Sequence, residues 1–182
     1  FKKNPKILAV GFNRRFSKYI KKIDHLLGDD RSNNAFIMTV NAGAIDKEHW
    51  TQDIEIGGGR VLGEACHFID LLRFLAKSPI SDFSVSKTNS LNNDDAIINL
   101  EFSNGTIGSI NYFSNGNKKV SKERLEVFSD GRILIMDNYR SLKGYGFSTF
   151  NSLRGLKQDK GQEECVRKFV ECIENDQDFP IK

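Results

Sequence analysis

Two tight-turn signals constrain the fold of this chain more than any other feature. Ala96–Phe102 and Thr106–Tyr112 flank Ser103-Asn104-Gly105, in which Asn-Gly supplies the positive backbone φ of a tight turn. Asp130-Gly131 separates two further strand-like runs in the same way. Because strands joined by tight turns are antiparallel, the middle of the chain predicts an antiparallel sheet.

Helical patterns occur before, within and after this region. Ser17 is placed to cap a helix that runs to about Leu27 and is stopped by Gly28. A second helix is predicted from about Gly63 to Leu75. A third is predicted from about Gly161 to Asn175, and its apolar face consists of Cys165, Phe169, Cys172 and Ile173. This balance predicts an α+β fold, an open and mostly antiparallel β-sheet with helices packed on one face.

The start of the chain has a different character. Lys6–Gly11 is a short apolar run ending in glycine, which is typical of a buried parallel strand. Since a single buried strand needs neighbours, residues 1–28 are predicted to be the tail of an N-terminal unit. Residues 29–182 are then a second domain.

Charge and cysteine content narrow the classes of function. The net charge is +3, with Lys and Arg scattered along the chain, so neither nucleic acid nor a membrane is indicated as a partner. The net charge does not exclude an anionic substrate that is bound by a local group of positive charges. The three cysteines are an odd number and form no CxxC pattern, which is typical of proteins in a reducing compartment. No apolar run approaches the roughly 20 residues of a membrane span, and the start of the sequence lacks signal-peptide character. We therefore expect a cytoplasmic protein.

The second helix carries a polar ridge. Glu64, His67 and Asp70 recur three residues apart, which brings neighbouring side chains within contact distance. A histidine beside a carboxylate can be held in one tautomer and exchange a proton near neutral pH. The alternative is structural: Glu64 favours the helix N-terminus, Asp70 pairs with Arg73, and His67 is a satisfied core residue. Spacing alone leaves both interpretations open.

Loops supply further candidates. Gly57-Gly58-Gly59 would let backbone approach a ligand closely, although flexible turns use such runs too. His49 and Trp50 lie on a predicted loop, where they would bind a ligand or, alternatively, where the indole would close the edge of the core. A zinc site from His49, Cys66 and His67 is disfavoured, because adjacent Cys and His diverge on a helix and no structural zinc spacing is present. No metal is predicted.

Three polar side chains follow the first predicted strand directly. Asn13, Arg14 and Arg15 would meet an anionic or hydroxylated ligand if they lie at the carboxyl end of a sheet, and a solvated basic turn is the equal alternative. Lys122–Glu126 and Asp159–Gly161 are interpreted as surface charge and a helix start.

Taken together, three motifs resemble one protein family. Val10–Phe16, Gly57–Arg60 with Gly63–Asp70, and Lys122–Phe128 occur in the order and spacing of the glucose-fructose oxidoreductase and inositol dehydrogenase (Gfo/Idh/MocA) family. The resemblance covers nearly the whole chain. It is strongest to members from surface-polysaccharide and nucleotide-sugar pathways.

The resemblance implies an enzyme with two domains. An N-terminal Rossmann domain would bind NAD or NADP, and residues 1–28 would be its last strand and the linking helix. The C-terminal domain would bind the sugar substrate and form homo-oligomers through its sheet face. His67 matches the histidine that assists proton transfer. Gly58 and Gly59 would lie at the cofactor, and the substrate-binding candidates are Glu64, Asp70, Asn13, Arg14, Arg15, His49 and Trp50.

Two departures from the family pattern affect these expectations. Many members carry an aspartate four residues before the histidine, where this chain has Gly63; Glu64 is the nearest substitute. The chain has no G-x-G-x-x-G motif after a strand and no Glu-Lys-Pro motif, whose lysine is the family's main acid/base residue. We therefore expect an excised domain or truncated product with little or no turnover alone. The alternative is a non-catalytic dimerisation or ligand-binding module.

Overall fold

The computed structural model describes residues 9–45, 54–57, 59–89 and 95–181. The strands are β1 Ala35–Asn41, β2 Ile80–Lys87, β3 Ala96–Phe102, β4 Ile107–Phe113, β5 Glu123–Ser129, β6 Arg132–Asp137, β7 Ser141–Tyr145 and β8 Ser152–Arg154. The helices are α1 Lys18–Leu27, α2 Ile54–Gly57, α3 Cys66–Ala76 and α4 Gln162–Glu174. A 3-10 turn, Asn13–Phe16, precedes α1, and a π-helical turn, Val61–Ala65, leads into α3.

Within these residues the strands form one open sheet, in the order β2-β3-β4-β1-β5-β6-β7-β8. All neighbours are antiparallel except β1 and β4, which run parallel. The α+β prediction is confirmed. Both predicted hairpins are also confirmed: Gly105 has φ +81°, and Asp130 and Gly131 have φ +49° and +73°. Such positive angles match the turn to the twist of the strands it joins.

The helices pack on one face of the sheet, as predicted. Burial alternates along β3, so that every second residue faces the core and the residues between face outward. Large side chains that are fully buried include Tyr19, Ile20, Ile23, Phe68, Leu71, Leu72 and Leu75. Gly108 permits close contact between α3 and β4, because a Cβ there would lie 2.8 Å from Leu72 Cδ1.

The ends of the helices agree with the sequence signals in most places. The Ser17 hydroxyl accepts a hydrogen bond from the Tyr19 N–H at 3.3 Å, and Gly28 ends α1 with φ +72°. The helix predicted from about Gly63 begins instead as a π-helical turn, and its α-helical part starts at Cys66. On α4, Ile173 was expected on the buried face, but it is 45% exposed because the buried stripe is narrow, with Cys165 and Cys172 as its buried members.

Half of the strand predicted over residues 6–11 lies outside the described residues. The described part, 9–11, pairs with no described strand, and Val10 is 49% exposed. A buried parallel strand requires neighbours on both sides, and the described residues supply none there. The assignment of residues 1–28 to a preceding domain stays a prediction, and α1 itself packs into the same core as the sheet.

Among the described residues, we find no helix that is both long enough and apolar enough to span a bilayer.

Candidate functional site

A cavity of about 360 Å³ opens beside the start of α3. The end of β1, the 3-10 turn, the π-helical turn and the residue before β5 all contribute to its wall. Its lining residues are Arg14, Ala42, Ile45, Arg60, Gly63, Glu64, His67 and Lys122. Three of the candidates chosen from the sequence, Arg14, Glu64 and His67, thus share one cavity.

His67 lies half-buried in the first turn of α3. Its ring packs edge-on against Phe12, with centroids 5.5 Å apart. Nδ1 is buried and accepts or donates no hydrogen bond to any described residue. Burial and the charge of Arg14 lower the pKa of His67, and the nearby carboxylates only partly offset this. The imidazole is therefore neutral at neutral pH, which is the form that can accept a proton.

This lowered pKa is directly measurable. In a proton NMR titration, the ring protons of His67 should report a midpoint below the ordinary value of 6.5, because desolvation disfavours the imidazolium. The base form is then fully populated above that midpoint and is lost as the pH falls through it. A midpoint at or above 6.5 would contradict the environment described for this side chain.

Glu64 is the anchored carboxylate of the cavity. The Tyr112 hydroxyl donates to one of its oxygens at 2.6 Å, and Lys122 Nζ donates to the other at 2.6 Å. Arg60 Nη2 lies 3.6 Å away. Burial opposes ionisation of Glu64, but the hydrogen bonds from Lys122 and Tyr112 outweigh it and lower the pKa. Glu64 is therefore an ionised acceptor held at the cavity wall.

Behind the cavity lies a buried ionic cluster. Glu123 is fully buried, and it accepts hydrogen bonds from Arg14 Nε at 2.8 Å and Nη2 at 3.0 Å. Lys160 Nζ donates to it at 2.7 Å. These bonds overcome the effect of burial and lower the pKa of Glu123. The Arg14 guanidinium also lies over the Phe68 ring at 4.6 Å, which connects the cluster to α3.

Asp159–Gly161 does precede a helix, α4, as interpreted, but the interpretation of Lys122–Glu126 as surface charge was wrong for the first two of these residues. Lys122 lines the cavity, Glu123 is fully buried, and Lys160 is bound to Glu123. The physical reason is the period of the strand, since Glu123 alternates with Arg124 and so shares the core face of β5 with Leu125. That alternation was the signal in the sequence that could have found it.

Asp70 faces away from the cavity. Arg15 donates to both of its carboxylate oxygens, with Nε at 2.6 Å from Oδ2, so the alternative pairing with Arg73 was wrong. This bidentate pair fixes the 3-10 turn to α3. Arg15 borders a separate cavity, together with Arg73 and Phe74. The Asn13 side-chain amide donates a hydrogen bond to the Lys160 carbonyl at 2.6 Å. Asp70, Arg15 and Asn13 therefore position the elements around His67.

The remaining candidates are placed as follows. His49, Trp50 and Gly58 lie outside the described residues. Gly59 has φ +80°, and a Cβ there would meet nothing within 4 Å.

Within the described part of the chain, no three His, Cys, Asp or Glu side chains are grouped to hold a metal ion. Burial raises the pKa of the Cys66 thiol, so this residue is no activated nucleophile.

Comparisons with known proteins agree with this architecture. UDP-N-acetylglucosamine 3-dehydrogenase GnnA from Acidithiobacillus ferrooxidans has a TM-score of 0.76 at 17% identity, over 96% of this chain and 54% of that one. An aldose-aldose oxidoreductase from Caulobacter crescentus, complexed with glycerol, has a TM-score of 0.75 at 15% identity, over 94% of this chain and 55% of that one. GenD2 from gentamicin A biosynthesis, in complex with NAD, has a TM-score of 0.68 at 15% identity, over 93% of this chain and 54% of that one.

These identities establish a shared fold, and the chain spans about half the length of each of these structures. A comparison with proteins of curated function gives no match. The family model described as the GFO/IDH/MocA C-terminal domain matches residues 25–134, which is more than half of the chain. The chain therefore belongs to the Gfo/Idh/MocA family through its C-terminal domain.

Proposed function

We propose that this chain is the substrate-binding domain of an NAD(P)-dependent oxidoreductase that acts on a secondary alcohol of a sugar or nucleotide sugar. The observation that carries the proposal is the placement of a neutral histidine, His67, and an ionised carboxylate, Glu64, on the wall of one cavity. A cavity of about 360 Å³ lies within the range typical of small-molecule sites.

Oxidation of a secondary alcohol removes a hydride from carbon and a proton from oxygen. When bound, NAD(P) supplies the hydride acceptor. His67 takes or relays the hydroxyl proton, since its imidazole is neutral and half-buried. Gly59 is the described glycine proposed to lie at the cofactor, and the open space around its backbone leaves room for such an approach. The main cofactor site is proposed for a preceding Rossmann domain, with residues 1–28 as its tail.

Glu64 orients the sugar in this proposal. Its carboxylate is fixed by bonds from Tyr112 and Lys122, so a sugar hydroxyl donating to it would meet a preorganised acceptor. Its negative charge also favours the imidazolium that forms when His67 takes a proton. The three cysteines are free thiols, which supports a location in the cytoplasm.

The experiment that tests this function is an assay of the intact protein with NAD+ and NADP+ against a panel of hexoses and UDP-hexoses. We expect formation of NADH or NADPH that depends on one sugar class. The absence of turnover with every sugar and both cofactors, by a folded protein that binds a cofactor, would contradict the proposal.

The sheet face that no described helix covers favours a second role, association with another copy of this chain. Apolar side chains point outward from this face, among them Ile37 on β1 and Ile107 on β4. Arg124 and Glu126 form an ion pair at 2.6 Å on β5, so the face carries both signs of charge. A surface with apolar groups and both charges can be complementary to itself, which a two-fold dimer requires.

Association through this face predicts a simple result. Ile37→Lys should convert a dimer to a monomer by static light scattering, because it places a charge at the centre of the apolar face. Leu156→Lys is the control, since Leu156 is fully exposed outside the strands. A wild-type monomer, or a dimer that Ile37→Lys leaves intact, would contradict association through this face.

A further inference from the structure

The described residues around the His67 cavity carry more positive than negative charge. At the cavity wall, Glu64 is the one carboxylate among the described lining residues, and two cations, Arg60 and Lys122, contact it. The imidazole of His67 is neutral, because its pKa is lowered by burial and by Arg14. This part of the wall therefore has one cation in excess.

The cluster behind the wall shows the same imbalance. Glu123 is bound by two cations, Arg14 and Lys160. Arg14 also lines the cavity, whereas Asp70 and Arg15 neutralise each other elsewhere. Two excess positive charges near a cavity with buried walls give a positive potential that attracts an anion.

Each of the two arginines is held in place by the protein through two of its nitrogens. Arg14 uses Nε and Nη2 to bind Glu123. Arg60 is 5% exposed, and it donates through Nη1 to the Gly43 carbonyl at 2.6 Å and through Nη2 to the Ala42 carbonyl at 3.4 Å. Arg60 thereby fixes the chain at the end of β1, and both guanidinium groups contribute charge to the cavity.

Lys122 is arranged differently. Its side chain is 38% exposed, and one bond, to Glu64, is its contact with the described residues. An ammonium group has three N–H donors, so two are left unused by the described residues and can donate to a ligand. Glu64 holds Nζ at the cavity wall in a defined position.

We propose that Lys122 binds an anionic oxygen group of the substrate, a carboxylate or a phosphate, and thereby selects acidic sugars or sugar nucleotides over neutral sugars. This inference rests on the proposed function, whose site it deepens. Arg14 and Arg60 supply the surrounding potential, and Lys122 supplies the direct contact as a point charge. Glu64 then has two roles, since it positions the ammonium as well as a sugar hydroxyl.

The test is isothermal titration calorimetry of the 182-residue chain with UDP, with glucuronate and with N-acetylglucosamine. We expect saturable binding of at least one of the two anions. N-acetylglucosamine should bind more weakly by about tenfold or more, the ratio expected when one charge-assisted hydrogen bond is missing. Binding of UDP alone assigns the ligand as a phosphate, and binding of glucuronate alone assigns it as a carboxylate. Absence of binding by both anions would overturn the proposal.

Variants of two neighbouring lysines isolate the contact. Lys122→Gln should weaken anion binding about tenfold, a larger loss than for the neutral sugar, whereas Lys122→Arg should retain most of the affinity. Lys119→Gln is the matched control, because it removes the same charge from an exposed residue of the same segment. Equal loss in Lys119→Gln and Lys122→Gln, or no loss in Lys122→Gln, would overturn the proposal.

The outcomes also separate this inference from the proposed function. A protein that oxidises neutral sugars with NAD(P), and whose chain binds neither anion, is the expected enzyme without the anion contact. A chain that binds anions through Lys122, in a protein that turns over no sugar, has the contact without the proposed function.

Discussion

Replacement of His67 by alanine is expected to lower kcat of the intact enzyme by about 10²- to 10⁴-fold, the usual contribution of a positioned acid/base group. The imidazole lines the cavity and is kept neutral by burial and by Arg14, so it is suited to take a proton from the sugar hydroxyl. Steady-state kinetics with the preferred sugar measure the effect.

The same substitution should disturb folding little. Nδ1 of His67 bonds to no described residue, and the side chain is only half-buried, so its removal breaks no described hydrogen bond at that nitrogen. The thermal unfolding midpoint should therefore stay near that of the wild type. His25→Ala serves as the control, because it removes an exposed imidazole on α1. An unchanged kcat in His67→Ala would contradict the role of His67 in proton transfer.

Replacement of Glu123 by glutamine is expected to reduce the free energy of unfolding by about 3–5 kcal/mol, the cost of breaking a buried ion pair from one side. The carboxylate is fully buried and binds both Arg14 and Lys160, so its neutralisation leaves a buried and a half-buried cation without a counter-charge. Equilibrium unfolding in urea measures the difference.

Glu126→Gln is the matched control on the same strand. Glu126 pairs with Arg124 on the solvent side of β5, and such exposed pairs contribute about 0–1 kcal/mol. The Glu123 contribution should also depend on pH. Since its folded-state pKa lies below the ordinary 4.5, the stabilisation is present above that pH and is lost as the pH falls through the folded value. Equal stability of the two variants would contradict the buried cluster.

The sheet was predictable because its signals are local. Asn104-Gly105 and Asp130-Gly131 set both hairpins through the backbone angles of two or three residues. The parallel pairing of β1 with β4 was not predicted, since it joins strands more than 60 residues apart and depends on the packing of the whole sheet. Helix boundaries were predictable where a capping residue marked them, as Ser17 and Gly28 do for α1.

The candidate site was predictable only in part. Glu64 and His67 lie on one helical segment, so their spacing in the sequence predicted that they are neighbours, and both line the cavity in the structure. Lys122 comes to the cavity from the residue before β5. Arg60 directly precedes the π-helical turn and is held by the Gly43 carbonyl just after β1. Periodicity describes one element at a time. Residues that meet through sheet register therefore stay hidden until the strands are paired.

The most direct test of the central claim, that the His67 cavity binds the sugar, is an amide NMR titration of the 15N-labelled chain with UDP-hexoses and free hexoses. The account predicts saturable shift changes for Gly63, Glu64, His67 and Lys122, and no change for Ile37 on the open sheet face. Changes confined to the open face, or no change with any of these sugars, would contradict it.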